Sequence, residues 1–167
     1  MEIVKLDKNI HNRAAFDCGE SDLNNYLGQT ANQHAKKEVA RTFVLSDPTL
    51  PNKVVGFYAL AITKVSLTEL PPKLASLYPN EVYCALISRL AVDLTEQNKG
   101  YGGVVLIDAV KRIIAAAEDM PVPMIIVDAK NTKAKKWYEG YGFKSLPNQP
   151  NRLFMPVKAA RDMLGAG

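Results

Sequence analysis

The sequence predicts an α/β (α+β) layer domain, because short β-rich runs alternate with amphipathic helical stretches along the chain. No internal repeat or low-complexity tract interrupts this alternation. The chain has 167 residues, of which 47% are hydrophobic and 23% are charged, as is typical of one globular domain. We therefore expect a single domain over residues 1–167, with a core that needs neither disulfides nor metal.

Three strands and one helix are predicted in the first half of the chain. Polar and apolar residues alternate over residues 2–6, which predicts the first strand. Ser21 is the predicted N-cap of a helix that ends in the basic residues 34–37. Residues 42–46 and 54–62 predict two further strands, and the second is apolar enough to be buried on both faces.

Prolines and glycines separate the predicted elements of the second half. These are a short helix at 73–78, a long strand at 82–92, an amphipathic helix at 104–117, a buried strand at 124–127, a helix at 132–141, and closing strands at Phe143 and 152–157.

Cysteine and histidine usage excludes several kinds of site. Two cysteines, Cys18 and Cys84, cannot form a disulfide framework or a four-thiolate zinc site. Two histidines, His11 and His34, exclude a three-histidine metal site, and neither His-Glu-x-x-His nor Gly-x-Ser-x-Gly occurs. We expect no metal, two unreactive thiols, and in His34 a partly exposed helix residue.

The charge balance is mildly basic. Lys and Arg number 21 against 17 Asp and Glu, which gives a formal net charge of +4 and is compatible with phosphate-bearing ligands. No apolar run approaches the roughly 20 residues of a membrane span, and the first residues do not resemble a signal peptide. We expect a cytoplasmic protein without a membrane partner.

The most informative segment is SRLAVDLTEQNKGYGG, residues 88–103. Gly100, Gly102 and Gly103 open an amphipathic helix directly after a strand and a short polar loop. The first N–H groups of such a helix point outward and can bind phosphate, although a tight strand–helix turn explains the same glycines. The segment is neither a P-loop nor a Rossmann fingerprint.

Gln97-Asn98-Lys99-Gly100-Tyr101-Gly102 resembles the pyrophosphate-binding signature of the GNAT superfamily of N-acetyltransferases. Residues 89–93, Arg-Leu-Ala-Val-Asp, are similar to the strand before that loop, and residues 137–143 are similar to the later Tyr-x-x-x-Gly-Phe block. Asn131 stands where the superfamily places a cofactor-contacting residue. The resemblance implies the GNAT fold, a mixed central sheet with splayed strands flanked by helices.

A narrower resemblance extends over nearly the whole chain. Residues 16–27, 41–44, 56–58, 127–130 and 152–156 are similar to the toxin branch of the GNAT proteins. This implies a toxin of a type II toxin–antitoxin pair that acetylates the α-amine of aminoacyl-tRNA and stops translation. It also implies a ribbon-helix-helix antitoxin, operator DNA bound through the complex, and a homodimer.

The resemblance assigns roles to individual residues. Tyr138 matches the position of the proton donor for the departing thiolate, and a tyrosine hydroxyl is a donor at neutral pH. Backbone N–H groups near residues 90–92 are the expected oxyanion donors. The expected acetyl-CoA contacts are Leu90, Ala91, Val92, Gln97, Asn98, Lys99, Gly100, Tyr101, Gly102, Gly103 and Asn131.

Two features bear on how the site works. Gly103 departs from the superfamily pattern, which has a larger side chain there, and a second glycine weakens a helix start by up to about 1 kcal/mol.

No general base is apparent in the sequence. An α-amine has a pKa of about 7.7–8.0 against about 10.4 for lysine, so a site without a base suits an α-amine better.

Two basic patches are candidate tRNA contacts. Lys130, Lys133, Lys135 and Lys136 lie around the start of a predicted helix, where cations oppose the helix dipole. Lys36, Lys37 and Arg41 form the second patch. Binding of tRNA phosphates explains both patches, and Lys133 and Lys136 are the expected contacts in the first. A solvated basic face explains both patches equally well.

Three functions remain open from the sequence. The first is the tRNA-directed acetyltransferase toxin, and the second is a GNAT enzyme that acetylates a small amine or a protein lysine. The third is a CoA-binding module without activity, against which Tyr138 argues.

Overall fold

The computed structural model describes residues 1–165, and the chain divides into two compact units. The first unit comprises Met1–Ala61 with Ser88–Lys111, and the second comprises Ile62–Ile87 with the chain from Arg112 onward. Residues 166 and 167 of the predicted domain lie outside the described part. That residues 1–167 form one domain stays a prediction.

Strands and helices alternate, as the sequence predicts. In chain order they are β1 Glu2–Lys5, α1 Ser21–Asn25, α2 Ala31–Lys36, β2 Arg41–Ser46, β3 Gly56–Val65, α3 Pro72–Ala75, β4 Val82–Val92, α4 Tyr101–Ala117, β5 Met124–Asp128, α5 Thr132–Gly140, β6 Lys144–Leu146, β7 Gln149–Pro156 and α6 Val157–Met163. A π-helical turn, Tyr26–Thr30, joins α1 to α2. The strands follow the order β1-β2-β3-β4-β5-β7-β6 in a mixed sheet.

In the first unit, β2 lies between two antiparallel neighbours. Its register pairs Ser46 with Glu2 of β1 and Leu45 with Gly56 of β3. Residues 42–46 are all buried, so both faces of β2 are covered. The core of this unit packs the rings of Phe16 and Phe57 edge to face, with their centroids 5.4 Å apart.

In the second unit, β5 is the buried centre. It pairs parallel with β4 over Ala85↔Ile125 to Ile87↔Val127 and antiparallel with β7. Residues 124–127 are fully buried, as predicted, whereas Asp128 at the end of the strand is exposed. The core around this strand includes Val65, Leu70, Val82, Cys84, Met124, Ile126, Leu146 and Phe154.

The expected N-cap at Ser21 is wrong, because Glu20 occupies that position and its side chain makes no capping hydrogen bond. Hydrogen bonds between the residues before α1 and a side chain within α1 fix the start of the helix instead. The N–H of Cys18 donates to Oδ1 of Asn24, and Nδ2 of Asn24 donates to Oδ1 of Asp17, each at 2.9 Å. The helix start is therefore positioned by Asp17 and Asn24.

Several predicted boundaries also shift. The strand expected at 54–62 begins at Gly56 and ends at Val65, and Ile62 is 61% exposed, so the strand is not buried on both faces throughout. The helix expected from residue 104 begins at Tyr101. Val157, expected in a strand, begins α6, because the pairing of β7 with β5 ends at Pro156, which is the N-cap of the helix.

Candidate active site

A buried carboxylate fixes the turn that follows β4. Asp93 is 8% exposed, and its carboxylate accepts hydrogen bonds from the N–H and hydroxyl of Thr95 and from the N–H of Asp17. Burial by itself raises the pKa of Asp93, but these hydrogen bonds and nearby Lys53 bring it below its ordinary value. Asp93 therefore stays ionised, and its hydrogen bonds fix the conformation of the turn that follows β4.

The loop 97–100 is exposed and held in shape by its own residues. Nε2 of Gln97 donates to the carbonyl oxygens of Val92 at 2.9 Å and of Cys18 at 3.1 Å. Asn98 and Gly100 adopt positive φ values of 64° and 84°. The positive φ of Gly100 favours glycine at this position. A Cβ there would meet nothing within 4 Å, so the space beside the loop is open.

The N-terminus of α4 is a potential anion site. The carbonyl oxygen of Gly100 accepts the N–H of Val104, so the N–H groups of Tyr101, Gly102 and Gly103 precede the first intrahelical donor. No acidic residue lies in the first turn of this 17-residue helix. The helix dipole and these N–H groups together favour a bound phosphate. Gly103 does not prevent the helix from starting at Tyr101.

Two lysines share one carboxylate beside this loop. Nζ of Lys53 lies 2.7 Å from Oε1 of Glu96, and Nζ of Lys99 lies 2.9 Å from Oε2. The hydrogen bonds from both lysines hold the pKa of Glu96 below its ordinary value. With ionised Asp93 also close to Lys53, the two lysines and two carboxylates balance, and Lys99 is the exposed cation on the loop itself. Lys53 was not predicted, because 43 residues separate it from Glu96 in the chain.

The end of β4 continues past its ladder with β5. The pairing of the two strands ends at Ile87, and β4 runs on to Val92. Ala91 is buried in the core of the first unit, whereas Leu90 and Val92 are half-buried. Backbone donation by residues 90–92 to an oxyanion stays a prediction.

Tyr138 lies on α5 in the second unit and is 7% exposed. Its ring packs edge to face against Trp137 at 5.0 Å and Phe143 at 5.8 Å between centroids. Burial, with a smaller contribution from the carboxylate of Asp128, raises the pKa of Tyr138 to about 12. The hydroxyl is therefore protonated at neutral pH, as a proton donor must be.

The Tyr-x-x-x-Gly-Phe pattern is a helix-termination motif. Gly142 has a φ of 99°, the N–H of Phe143 donates to the carbonyl oxygen of Tyr138, and the N–H of Gly142 donates to that of Glu139. These two bonds and the Phe143–Tyr138 ring contact form a Schellman motif. At the other end of α5, Oδ1 of Asn131 accepts the N–H of Ala134 at 2.9 Å and caps the helix. The cofactor contact expected of Asn131 stays a prediction.

The predicted tRNA contacts fall into two groups. Lys133 and Lys136 are exposed on α5 in the second unit, and Lys36 and Lys37 are exposed at the end of α2 in the first. Arg41 is half-buried, forms an ion pair with Glu38 and donates to the carbonyl oxygen of Ala35. Part of the Arg41 side chain is thus used to hold the end of α2.

The histidines and cysteines have structural surroundings. His11 is 4% exposed and its Nδ1 accepts the N–H of Asp7, while His34 is half-buried as predicted. Cys18 and Cys84 are buried and neither forms a disulfide, and burial raises the pKa of Cys84 to about 11. Among residues 1–165, no cluster of His, Cys, Asp and Glu is suited to a metal ion. Within the same range, no helix has the length and apolar character required to cross a membrane.

Comparison with known proteins extends these observations. Residues 76–152 match the family model described as FR47-like protein. "Probable toxin TacT" of Sinorhizobium fredii is 31% identical over 172 residues, which cover 98% of this chain and 94% of that protein. The "tRNA-acetylating toxin" of Mycobacterium tuberculosis is 34% identical over 151 residues, 90% of this chain and 89% of that one. A solved structure of AtaT complexed with acetyl-methionyl-tRNAfMet is 25% identical, with a TM-score of 0.89 over 98% of each chain.

The FR47-like match and the two whole-length relatives together define the class, the GNAT superfamily of N-acetyltransferases. The two whole-length relatives are both toxins. The chain therefore belongs to the toxin branch of the GNAT superfamily, which confirms the resemblance seen in its sequence.

Proposed function

We propose that this chain is the toxin of a type II toxin–antitoxin pair and transfers acetyl from acetyl-CoA to the α-amine of aminoacyl-tRNA. Translation then stops, because an acetylated amine cannot attack a peptidyl ester. The observation that carries this proposal is the 34% identity over 90% of the chain to a tRNA-acetylating toxin. The fold alone is compatible with many acceptor amines.

Acetyl-CoA is bound, in this proposal, through its pyrophosphate at the N-terminus of α4. The open space beside Gly100 and the N–H groups of residues 101–103 support this assignment. Gln97 acts there as an anchor of the loop, because its amide nitrogen is bonded to two carbonyl oxygens. Lys99 supplies positive charge near the phosphates while paired with Glu96.

The reaction forms an amide and breaks a thioester. The neutral α-amine attacks the carbonyl carbon of the thioester, and the oxygen that becomes negative accepts backbone N–H donors from residues 90–92. When the carbon–sulfur bond breaks, the hydroxyl of Tyr138 gives its proton to the departing sulfur. The amine loses its proton to water, and solvent returns a proton to Tyr138. An ordinary α-amine has a pKa of about 7.7–8.0 and the adjacent ester lowers it further, so no protein base is required.

We also propose binding partners and a cellular location for this toxin. A ribbon-helix-helix antitoxin neutralises the toxin, and the complex binds the operator DNA of the two genes. We propose action in the cytoplasm, where charged tRNA is used, and a homodimer, which light scattering of the purified protein tests directly.

The test is incubation of the protein with a set of charged tRNAs and labelled acetyl-CoA. We expect label on the α-amine of one or a few aminoacyl groups, identified by mass spectrometry after release from tRNA. Uncharged tRNA and a lysine-containing peptide with a blocked N-terminus are the matched acceptors without the required α-amine. Label on the peptide or on a small amine, and none on any charged tRNA, would establish the alternative acceptor class instead.

A further inference from the structure

Arg89 is exposed on β4, directly before the strand residues that are expected to approach the thioester. Its guanidinium carbon lies 4.7 Å from the centre of the Tyr26 ring, and its Nη1 donates to the carbonyl oxygen of Ser88 at 2.8 Å. Within residues 1–165, no carboxylate forms an ion pair with Arg89. The side chain is therefore a positioned cation without an anionic partner.

The ring beneath Arg89 is itself fixed. Tyr26 is 5% exposed and lies nearly parallel to Phe57, with ring centroids 6.4 Å apart and an interplanar angle of 12°. The hydroxyl of Tyr26 lies 3.3 Å from Nδ1 of His34. A cation stacked on an immobile aromatic ring loses little further conformational freedom when it binds a ligand.

The chemistry of the Arg89 guanidinium indicates which kind of ligand it binds. A planar guanidinium presents paired N–H donors that match two phosphate oxygens, and one held on a ring keeps that plane oriented. An aminoacyl-tRNA that brings its α-amine to the end of β4 also brings the phosphates of its 3′ end, which are the nearest anions of that substrate. Exposed Lys36 and Lys37 lie at the end of α2, whose His34 contacts Tyr26.

We propose that Arg89, supported by Tyr26, binds a phosphate of the 3′-terminal nucleotides of the acceptor and so selects charged tRNA over small amines. This inference rests on the proposed function. Arg89 is then a specificity-determining residue that acts on the acceptor and not on acetyl-CoA.

The experiment compares Arg89→Ala and Arg89→Lys with wild type, and uses Lys8→Ala as a matched loss of one exposed positive charge. We expect kcat/KM for charged tRNA to fall by about tenfold or more in both Arg89 variants, the loss typical of one hydrogen-bonded charge. The fall should come mainly from KM. The Kd of acetyl-CoA should stay within about twofold, which also shows that the variants are folded, and Lys8→Ala should behave as wild type. The rate with an aminoacyl methyl ester, which has the amine but no phosphate, should not change.

Each contrary result has a distinct meaning. Wild-type rates in Arg89→Lys would overturn the paired contact, since lysine keeps the charge but not the planar fork. A loss of less than about twofold in Arg89→Ala, or an equal loss of acetyl-CoA affinity, would overturn the role in acceptor selection. If the wild-type protein itself acetylates no charged tRNA, the proposed function fails, and the role of Arg89 fails with it.

Discussion

Removal of the Tyr138 hydroxyl separates its chemical contribution from its packing. In Tyr138→Phe the ring is kept, so the edge-to-face contacts with Trp137 and Phe143 are kept as well. We expect the turnover rate to fall by about 10²–10⁴-fold, the usual contribution of a general acid. This corresponds to about 2.7–5.4 kcal/mol of barrier. The Kd of acetyl-CoA should stay near its wild-type value, because the hydroxyl acts only when the thiolate departs.

The assay is single-turnover acetylation of charged tRNA by the wild-type and Tyr138→Phe proteins. Thermal melts of both proteins provide the control for folding. A decrease of less than about threefold, or about 0.65 kcal/mol of barrier, would refute the reasoning. Water or another side chain would then deliver the proton, and Tyr138 would be a packing residue.

The pH dependence of the same rate is a second readout for Tyr138. A donor works only while protonated, and burial raises the pKa of Tyr138 to about 12, so its ionisation should not lower the rate below about pH 11. The acceptor amine works only while neutral, so the rate should rise with pH up to the pKa of that amine, which the adjacent ester lowers below the value of about 7.7–8.0 for an ordinary α-amine. A fall that begins near pH 9–10 would show that the tyrosine has the ordinary pKa of about 10.

Three further predictions concern binding and stability. Gly102→Asp places a negative charge at the N-terminus of α4, so calorimetry should show loss of acetyl-CoA affinity, and unchanged affinity in a folded variant would reject this loop as the pyrophosphate site. Replacement of Lys133 and Lys136 by alanine should weaken tRNA binding and reduce the salt dependence of its affinity, with little effect on the affinity for acetyl-CoA. An unaltered salt dependence would show that the two lysines are only solvated and do not contact tRNA. Gly142→Ala should lower the free energy of unfolding by about 1–2 kcal/mol in urea titrations, because φ is 99° and the new Cβ would lie 3.3 Å from Cε of Met155. A stability equal to wild type would show that the backbone relaxes there.

Local sequence patterns predicted the bounds of those strands and helices that are determined by neighbouring residues in the chain. The bounds of β4, Val82–Val92, follow from one uninterrupted β-rich run, and α5 begins at the predicted Thr132 behind its cap Asn131. The start of α4 was missed by three residues, since intrinsic propensity disfavours glycine in a helix, whereas the helix includes Gly102 and Gly103 in its first turn. Propensity is a weak guide where tertiary contacts hold the preceding loop.

Contacts between distant parts of the chain could not be predicted in this way. The amide of Gln97 reaches the carbonyl oxygen of Cys18, 79 residues earlier, and Arg89 stacks on Tyr26. Each pair is close only after β-strand pairing and core packing have brought separate segments together. The glycine-rich motif was therefore visible in the sequence, while the side chains that hold and flank it were not.

The Schellman motif that ends α5 affects how loss-of-toxicity mutants should be interpreted. Gly142 and Phe143 fix the last turn of the helix that carries Tyr138, so substitutions there can disable the toxin without touching either substrate. A selection for surviving cells would recover such changes together with true active-site changes. The amount of folded toxin in each survivor distinguishes the two groups, because damage to the helix end lowers abundance whereas Tyr138→Phe leaves it intact.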